Sequence, residues 1–361
     1  MKTKCCQLSL VLTIGLSTLT AGAAVGTITG PFTHRNLEIF LVHGRTQLEQ
    51  RSYAILSEAL EKRFVIVKET GNVQELSIEN ISKETAVFVN AGDIVKGGRQ
   101  DRTVRDDLIL PPGSGPVPLA AFCVEHGRWT RRGDENSAAF SSNTKALSSK
   151  KEKLAARYGL NQSDVWSGVA EQQSKLNDNV SRMTGKNVDT RSAYSGSSLQ
   201  LTLENPDLDS VKREYLNQLG SVLDGKTDVI GFLYVINGEI NCAEVYNNKT
   251  LFRALWPKLL DAAVTEAVTD CDSDRKFQPV HTEELKSFFE TAVSGAVSER
   301  RVWKSTAVKT YNTPTTVLFE TLDLDSGGGW IHKSFINKGI DRVTVPLDNS
   351  RQEGQPQRFS R

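Results

Sequence analysis

Gly231-Phe232-Leu233-Tyr234-Val235-Ile236, then Asn237-Gly238, then Glu239-Ile240-Asn241-Cys242-Ala243-Glu244-Val245-Tyr246 is the stretch whose reading decides the fold. β-branched and aromatic residues fill two runs of strand length. The pair between them suits a type I′ turn, whose two central positions both take positive φ. A long antiparallel hairpin is predicted, with Val229 opening its first strand. Downstream, Asn248 is placed to cap a helix whose Phe252, Leu255, Leu259, Ala263 and Ala267 share one face, and Pro257 inside it predicts a kink or split. His281 to Val293 predicts a helix. Val302 to Val308, Thr315 to Phe319 and Trp330 to Phe335 predict closing strands, with Gly327-Gly328-Gly329 as a turn.

Upstream, Leu208, Val211, Tyr215, Leu219 and Val222 form a helical stripe after the stop Asn205-Pro206, and the alternation Leu199-Gln200-Leu201-Thr202-Leu203 predicts a strand. Ser163 is a candidate cap for a helix with Val165, Val169, Leu176 and Val180 inward and Trp166 in the core. Gly220 to Thr227 spells the phosphate-loop pattern GxxxxGK[ST], but such a loop leaves a strand and opens a helix; here a helix precedes and a strand follows, so Gly225 reads as a helix stop. In the N-terminal half, Leu37 to Val42, Phe64 to Val67, Leu76 to Ile78, Ala86 to Val89, Val104 to Leu110 and Val117 to Val124 predict strands. Tyr53 to Lys62 predicts a helix, and Arg131 to Lys153 a mobile surface loop.

The switching of period without a regular strand-helix repeat predicts an α+β fold, not a doubly wound sheet. It has a β-rich N-terminal half; the C-terminal half has the β-hairpin, terminal strands and helices packed on one face. The expected organisation is a signal peptide over 1–23, a β-rich half over 24–135, a flexible loop and helical segment over 136–198, an α+β half over 199–346 and a disordered tail over 347–361. Lys2 and Lys4, the apolar run from Leu8 to Leu19 and the small residues Ala21-Gly22-Ala23 carry the export expectation, periplasmic or extracellular, with a mature chain starting near Ala24. That would leave Cys123, Cys242 and Cys271, an odd number, so at least one thiol stays unpaired.

Chemistry is densest between Ala91 and Trp129. Gly97-Gly98-Arg99-Gln100-Asp101-Arg102 combines a glycine pair with two guanidiniums and a carboxylate, and Cys123-Val124-Glu125-His126-Gly127-Arg128-Trp129 sends Cys123 and Glu125 to one face of a strand end. If Val104 to Leu110 and Val117 to Val124 are antiparallel neighbours, the two clusters meet, with Arg102 near Glu125. Two readings stand. In one, Gly97 and Gly98 aim N–H groups at a small anionic ligand that Arg99, Gln100, Arg102 and Arg128 hold and Trp129 stacks on, while Glu125, Asp101 and Cys123 are the candidate catalytic groups. In the other, the glycines make a plain turn and Glu125 with Arg128 is a buried ion pair, Cys123 being a small core residue.

Together with Gln162-Ser163-x-Val165-Trp166, Ser198-Leu199-Gln200, Ile236-Asn237-Gly238 and Leu251-Phe252-x-x-Leu255-Trp256-Pro257-Lys258-Leu259-Leu260, these two clusters resemble the ADP-ribosylglycohydrolase- and rhodanese-phosphatase-associated protein family, a domain of unknown function. The resemblance runs from about Phe32 to His332. It implies a phosphate-bearing, ADP-ribose-like ligand, bound or processed. The alternative is a non-catalytic envelope module whose signature is an internal salt-bridge network. GxSxG and HExxH are absent, no Cys or His spacing suggests a metal, and no motif names a cofactor. With 44 basic against 43 acidic residues, the chain has no broad attraction for nucleic acid or, once the signal is cleaved, for a membrane.

Overall fold

The computed structural model describes residues 26–128, 132–133, 138–272, 274 and 276–339. The expected signal peptide, the tail and Trp129 lie outside the described residues. The first half runs β1 (Ile28–His34), β2 (Leu37–His43), β3 (Tyr53–Ile55), α1 (Leu56–Glu61), β4 (Val65–Glu69), β5 (Glu75–Asn80), β6 (Ala86–Val89), β7 (Asp93–Gly97), β8 (Arg102–Val104), β9 (Leu108–Leu110), β10 (Gly115–Cys123) and β11 (Phe140–Leu147). Then come α2 (Lys150–Lys153), a π-helical turn (Leu154–Gly159), α3 (Gln162–Thr184), α4 (Leu199–Leu203), α5 (Pro206–Leu219), β12 (Val229–Ile236), β13 (Glu239–Tyr246), α6 (Lys249–Thr269) and α7 (Thr282–Val293). β14 (Ala296–Trp303), β15 (Thr306–Asn312), β16 (Thr316–Asp323) and β17 (Gly329–Asn337) close the fold, which is α+β.

Among the described residues the strands form three sheets, ordered β1-β2-β12-β13-β17-β16-β15-β14, β11-β7-β8-β10-β5-β4 and β3-β6-β9. The decisive hairpin is β12 and β13, turned at Asn237 (φ 54°) and Gly238 (φ 76°) as the I′ geometry requires. β1 and β2, although N-terminal, extend this hairpin's sheet through β2–β12 pairing, so the large sheet joins both ends of the chain. Alternation gives it two buried faces. Leu41, Phe232, Tyr234 and Phe319 pack with α6 on one, while Phe40, Leu233, Leu318 and Phe335 pack with Phe288 and Phe289 of α7 on the other. Helices therefore cover both faces, where one was expected, because each strand alternates apolar residues in both directions.

Several local expectations are corrected. Leu199 to Leu203 is helical: Ser198 caps it by accepting from Leu201 N–H at 3.1 Å, and Leu199, Gln200, Thr202 and Leu203 are all buried, so the alternating pattern did not report one inward face. Tyr53 to Ile55 is a strand paired in parallel with Ala86 to Phe88, and its helix starts only at Leu56. Val104 to Leu110 breaks at Arg105-Asp106-Asp107 into strands of two different sheets. Val302 to Val308 likewise spans the turn at Lys304-Ser305. Phe140 to Leu147, inside the expected loop, is a strand on β7. Asn161 caps α3, its side chain accepting from Ser163 and Asp164 N–H, where Ser163 was expected. Trp166 is only half-buried, its ring edge-on to His126 at 4.5 Å. α6 passes Pro257 unbroken, since burial of Leu255, Trp256, Leu259 and Leu260 on successive sides holds it. The GxxxxGK[ST] segment does follow a helix and precede β12, and Lys226 Nζ donates to its own Val222 carbonyl at 2.8 Å.

Buried charge ties the layers. Asp107 accepts from Ala91 N–H (2.7 Å), Thr321 Oγ1 (2.5 Å) and Arg157 Nη2 (3.4 Å), and meets His332 Nδ1 at 2.8 Å. His332 Nε2 is 2.9 Å from Glu244, which also pairs with Lys153 at 3.1 Å. With both ring nitrogens facing carboxylates, the arrangement favours the doubly protonated imidazole: burial would lower its pKa, but Asp107 and Glu244 raise it, and the ring stacks on Tyr246 at 4.2 Å. Nearby, Lys258 of α6 reaches Asp93 at 2.6 Å.

Candidate functional site

The two signature clusters come together through one sheet contact: β10 pairs antiparallel with β8, putting Cys123 opposite Arg102. Beyond that rung, Val124 N–H donates to Asp101 O at 3.0 Å. The loop before β8 turns at Gly97 (φ 121°) and Gly98 (φ 57°), and a Cβ at Gly98 would lie 2.1 Å from the Phe140 ring, so only glycine fits.

The loop amides are engaged within the protein. Gly97 N–H donates to Asp101 Oδ1 (3.0 Å), Gly98 N–H to Ala139 O (3.4 Å) and Arg99 N–H to Glu69 Oε1 (2.9 Å). Glu125, fully buried, accepts from Arg128 Nε (2.7 Å), Ser195 Oγ (2.5 Å), Asp101 N–H (3.1 Å) and Arg132 Nη1 (3.4 Å). Asp101, equally buried, takes both Arg132 terminal nitrogens (3.0 and 3.1 Å) and Ser198 Oγ (2.8 Å). Arg128 also donates to the Gly98 and Gly97 carbonyls at 3.2 and 3.3 Å. Arg102 turns away from Glu125, toward the Gln100 carbonyl (3.1 Å) and Glu69 (3.8 Å); the guanidiniums at Glu125 are Arg128 and Arg132. Gln100 is buried beside it, and Arg99 is exposed.

Electrostatics follow from this packing. Burial pushes the Glu125 carboxyl up, but the hydrogen bonds from Arg128, Ser195 and Asp101 N–H outweigh it and hold the group below the usual carboxylate range. Asp101 goes the other way: burial, with the neighbouring Glu125 charge, outweighs Arg132 and raises it. Burial pushes the Cys123 thiol up to about 11, leaving little thiolate at neutral pH, and its backbone is clamped by the Gln162 amide at 2.9 and 2.8 Å. Cys123, Cys242 and Cys271 are all free thiols.

Sequence reasoning did not single out Arg132, Ser195 or Ser198 as members of this cluster. The dibasic Arg131-Arg132 and the serine run Ser195-Gly196-Ser197-Ser198 were the available signals. That run is a bridge. On one side Ser195 and Ser198 hold Glu125 and Asp101, and Ser197 Oγ bonds the His126 backbone at 3.1 and 2.7 Å. On the other, Gly196 and Ser197 border a cavity of about 330 Å³ with Gln173, Ser174, Asn177, Asp178 and Arg191. Gln173 Nε2 donates to Gly196 O at 3.0 Å and to Thr202 Oγ1 at 2.8 Å, fixing the near wall.

Fold and site together define an α+β domain built on a buried arginine-carboxylate cluster with a polar cavity behind it. The chain belongs to the ARG and Rhodanese-Phosphatase-superfamily-associated Protein domain family, whose sequence profile covers residues 27–336. No curated protein and no solved structure matches it.

Proposed function

We propose that this protein is an exported domain that binds a small phosphate-bearing molecule of the ADP-ribose kind in the cavity between α3 and the serine run, with the signature as its rigid back wall. One observation carries the reading: the same four-residue run whose hydroxyls complete Glu125 and Asp101 forms the border of a polar cavity within the volume range of small-molecule sites. Arg191 at its edge supplies a guanidinium for phosphate, and Gln173, Asn177, Ser174 and Ser197 supply the amide and hydroxyl groups suited to a ribose. The family's association with ADP-ribosylglycohydrolases supports the ligand class by analogy. Glu125, Asp101, Arg128 and Arg132 then act by position.

A thermal-shift series with inorganic phosphate, AMP, ADP-ribose and simple sugars tests this, since a ligand of the folded state raises Tm with concentration. ADP-ribose is expected to raise Tm, and Arg191→Ala, whose partner Asp189 is exposed, to abolish the rise without lowering the ligand-free Tm. No shift with any compound removes the proposal.

A second reading has its own support: the saturation of the signature by internal partners suits an envelope module in which the network is purely structural. Export is checked separately. Protein recovered from the producing cells is expected to begin near Ala24, and an intact Met1 on soluble cytoplasmic protein would refute export.

A further inference from the structure

The large sheet ends in two edges that are built differently. On one side β1 ends it, and there the pairing with β2 is broken by a bulge between Thr29 and Phe32, at Gly30-Pro31, where proline has no N–H to offer. That edge is poorly suited to a further strand. On the other side β14 ends the sheet. It runs eight residues, Ala296-Val297-Ser298-Glu299-Arg300-Arg301-Val302-Trp303, keeps regular register with β15 from Ala296 to Arg301 and shifts only beyond. It contains no proline, residues 296–301 are all exposed, and Val297 stands 58 % exposed.

Such an edge leaves the N–H and C=O groups of alternate residues aimed outward, and charged side chains on it oppose arbitrary partners. Here the order of the charges is self-complementary. A second copy of the strand, added antiparallel by a two-fold axis normal to the sheet, sets one residue against its own counterpart and pairs the others reciprocally. Centred on Glu299, the copies oppose two carboxylates; centred on Arg301, they oppose two guanidiniums. Centred on Arg300, Glu299 of each copy faces Arg301 of the other on one side of the sheet, and the pair occurs twice. Arg300 lies on the opposite side, where its Nη2 donates to Asp106 Oδ1 at 2.8 Å, so each central guanidinium has its counter-charge within its own chain. Glu299 stands across from Lys309 of β15, and Arg301 reaches only the Lys304 carbonyl, at 3.4 Å.

We propose that β14 is a homodimerisation edge, through which two copies of this chain join antiparallel, centred on Arg300, and continue one eight-stranded sheet into the other. A single pair of strand edges buries less than a standard interface of about 1,600 Å², so the association is weak and the two charge pairs decide its register.

Sedimentation equilibrium of the full chain between about 1 µM and 1 mM is expected to show the average mass climbing from that of one chain toward that of two. Glu299→Arg and Arg301→Glu each set like charges face to face, and each is expected to weaken the dimer about tenfold or more. Mixed, the two variants are expected to pair with each other, because the guanidiniums of one then meet the carboxylates of the other. The double variant Glu299→Arg/Arg301→Glu is expected to associate with itself again. Both positions are exposed, so each variant is expected to keep the wild-type Tm. A chain that stays monomeric throughout would mean that something other than a second copy takes the edge, and would overturn the proposal. So would a dimer indifferent to the single variants, or a mixture and double variant that fail to restore it.

Discussion

Asp107→Ala is expected to cost about 3–5 kcal/mol of folding stability, the range for removing one partner from a buried ionic network. The carboxylate joins the β-rich layer to the large sheet. Ala91 N–H and Asp107 itself belong to the first, His332 and Thr321 to the second, and Arg157 to the π-helical turn between them. Truncation strands His332 and Arg157 with their charges half-compensated; Arg157 keeps Asp106 at 3.8 Å and the Phe319 face at 4.2 Å, and His332 keeps Glu244. A urea titration of wild type and variant reads the loss directly, and a change below about 1 kcal/mol would mean the network does not clamp the layers.

The same groups set a pH window. For Asp107 and Glu244 burial alone would raise the carboxyl, but the His332, Arg157 and Lys153 charges overturn that: Asp107 lies far below its ordinary 3.8 and Glu244 falls to about 2. Folded values below the unfolded ones make their contribution complete above about pH 4.5 and lost as pH falls toward 2. His332 has the opposite sign. Burial would lower it, yet Asp107 and Glu244 raise it above 6.5, so its contribution is complete below pH 6.5 and lost as pH rises through the folded value.

The hairpin, the long helical stripes of α3, α5 and α6 and the closing strands at Thr315 to Phe319 and Trp330 to Phe335 were legible because each is local. Asn237-Gly238 fixes its turn through two φ angles, and Val165, Val169, Leu176 and Val180 mark a face whatever packs on it. The split of Val104 to Leu110 was not legible, because it follows from where Asp106 and Asp107 find Arg300, Arg157 and His332, residues about 50 to 225 positions away. Leu199 to Leu203 misled for a related reason: five residues fit a strand or a buried helical turn equally, and the choice is made by Ser198, which caps the turn and binds Asp101. At the signature, the meeting of Gly97–Arg102 with Cys123–Arg128 follows from the antiparallel neighbours the sequence offered, now β8 and β10, although β9 of another sheet interrupts the connection between them. Which arginine takes which carboxylate depends on Arg132 and on Ser195 and Ser198, which lie outside the two clusters.

Glu125→Ala is expected to be as damaging as the loss of Asp107, about 3–5 kcal/mol, because one carboxylate serves two guanidiniums, a serine hydroxyl and a backbone amide. Arg128→Ala is expected to cost less. Arg132 remains on both Glu125 and Asp101, at 3.4 and 3.0 Å, so no charge is abandoned, although the Gly97 and Gly98 carbonyls each lose a donor. The two variants also part in where the damage appears. Without Glu125 the Ser195 hydroxyl loses its partner at 2.5 Å, and the run bordering the larger cavity is held from its other residues, through Gly196 O on Gln173, Ser197 on His126 and Ser198 on Asp101 and Arg132. Native-state hydrogen exchange is therefore expected to show faster opening across 195–198 in Glu125→Ala than in Arg128→Ala, under conditions where both are folded. If Glu125→Ala instead keeps wild-type stability and exchange, the carboxylate is not a support, and a direct role toward ligand becomes the better account of why a glutamate sits at this strand end.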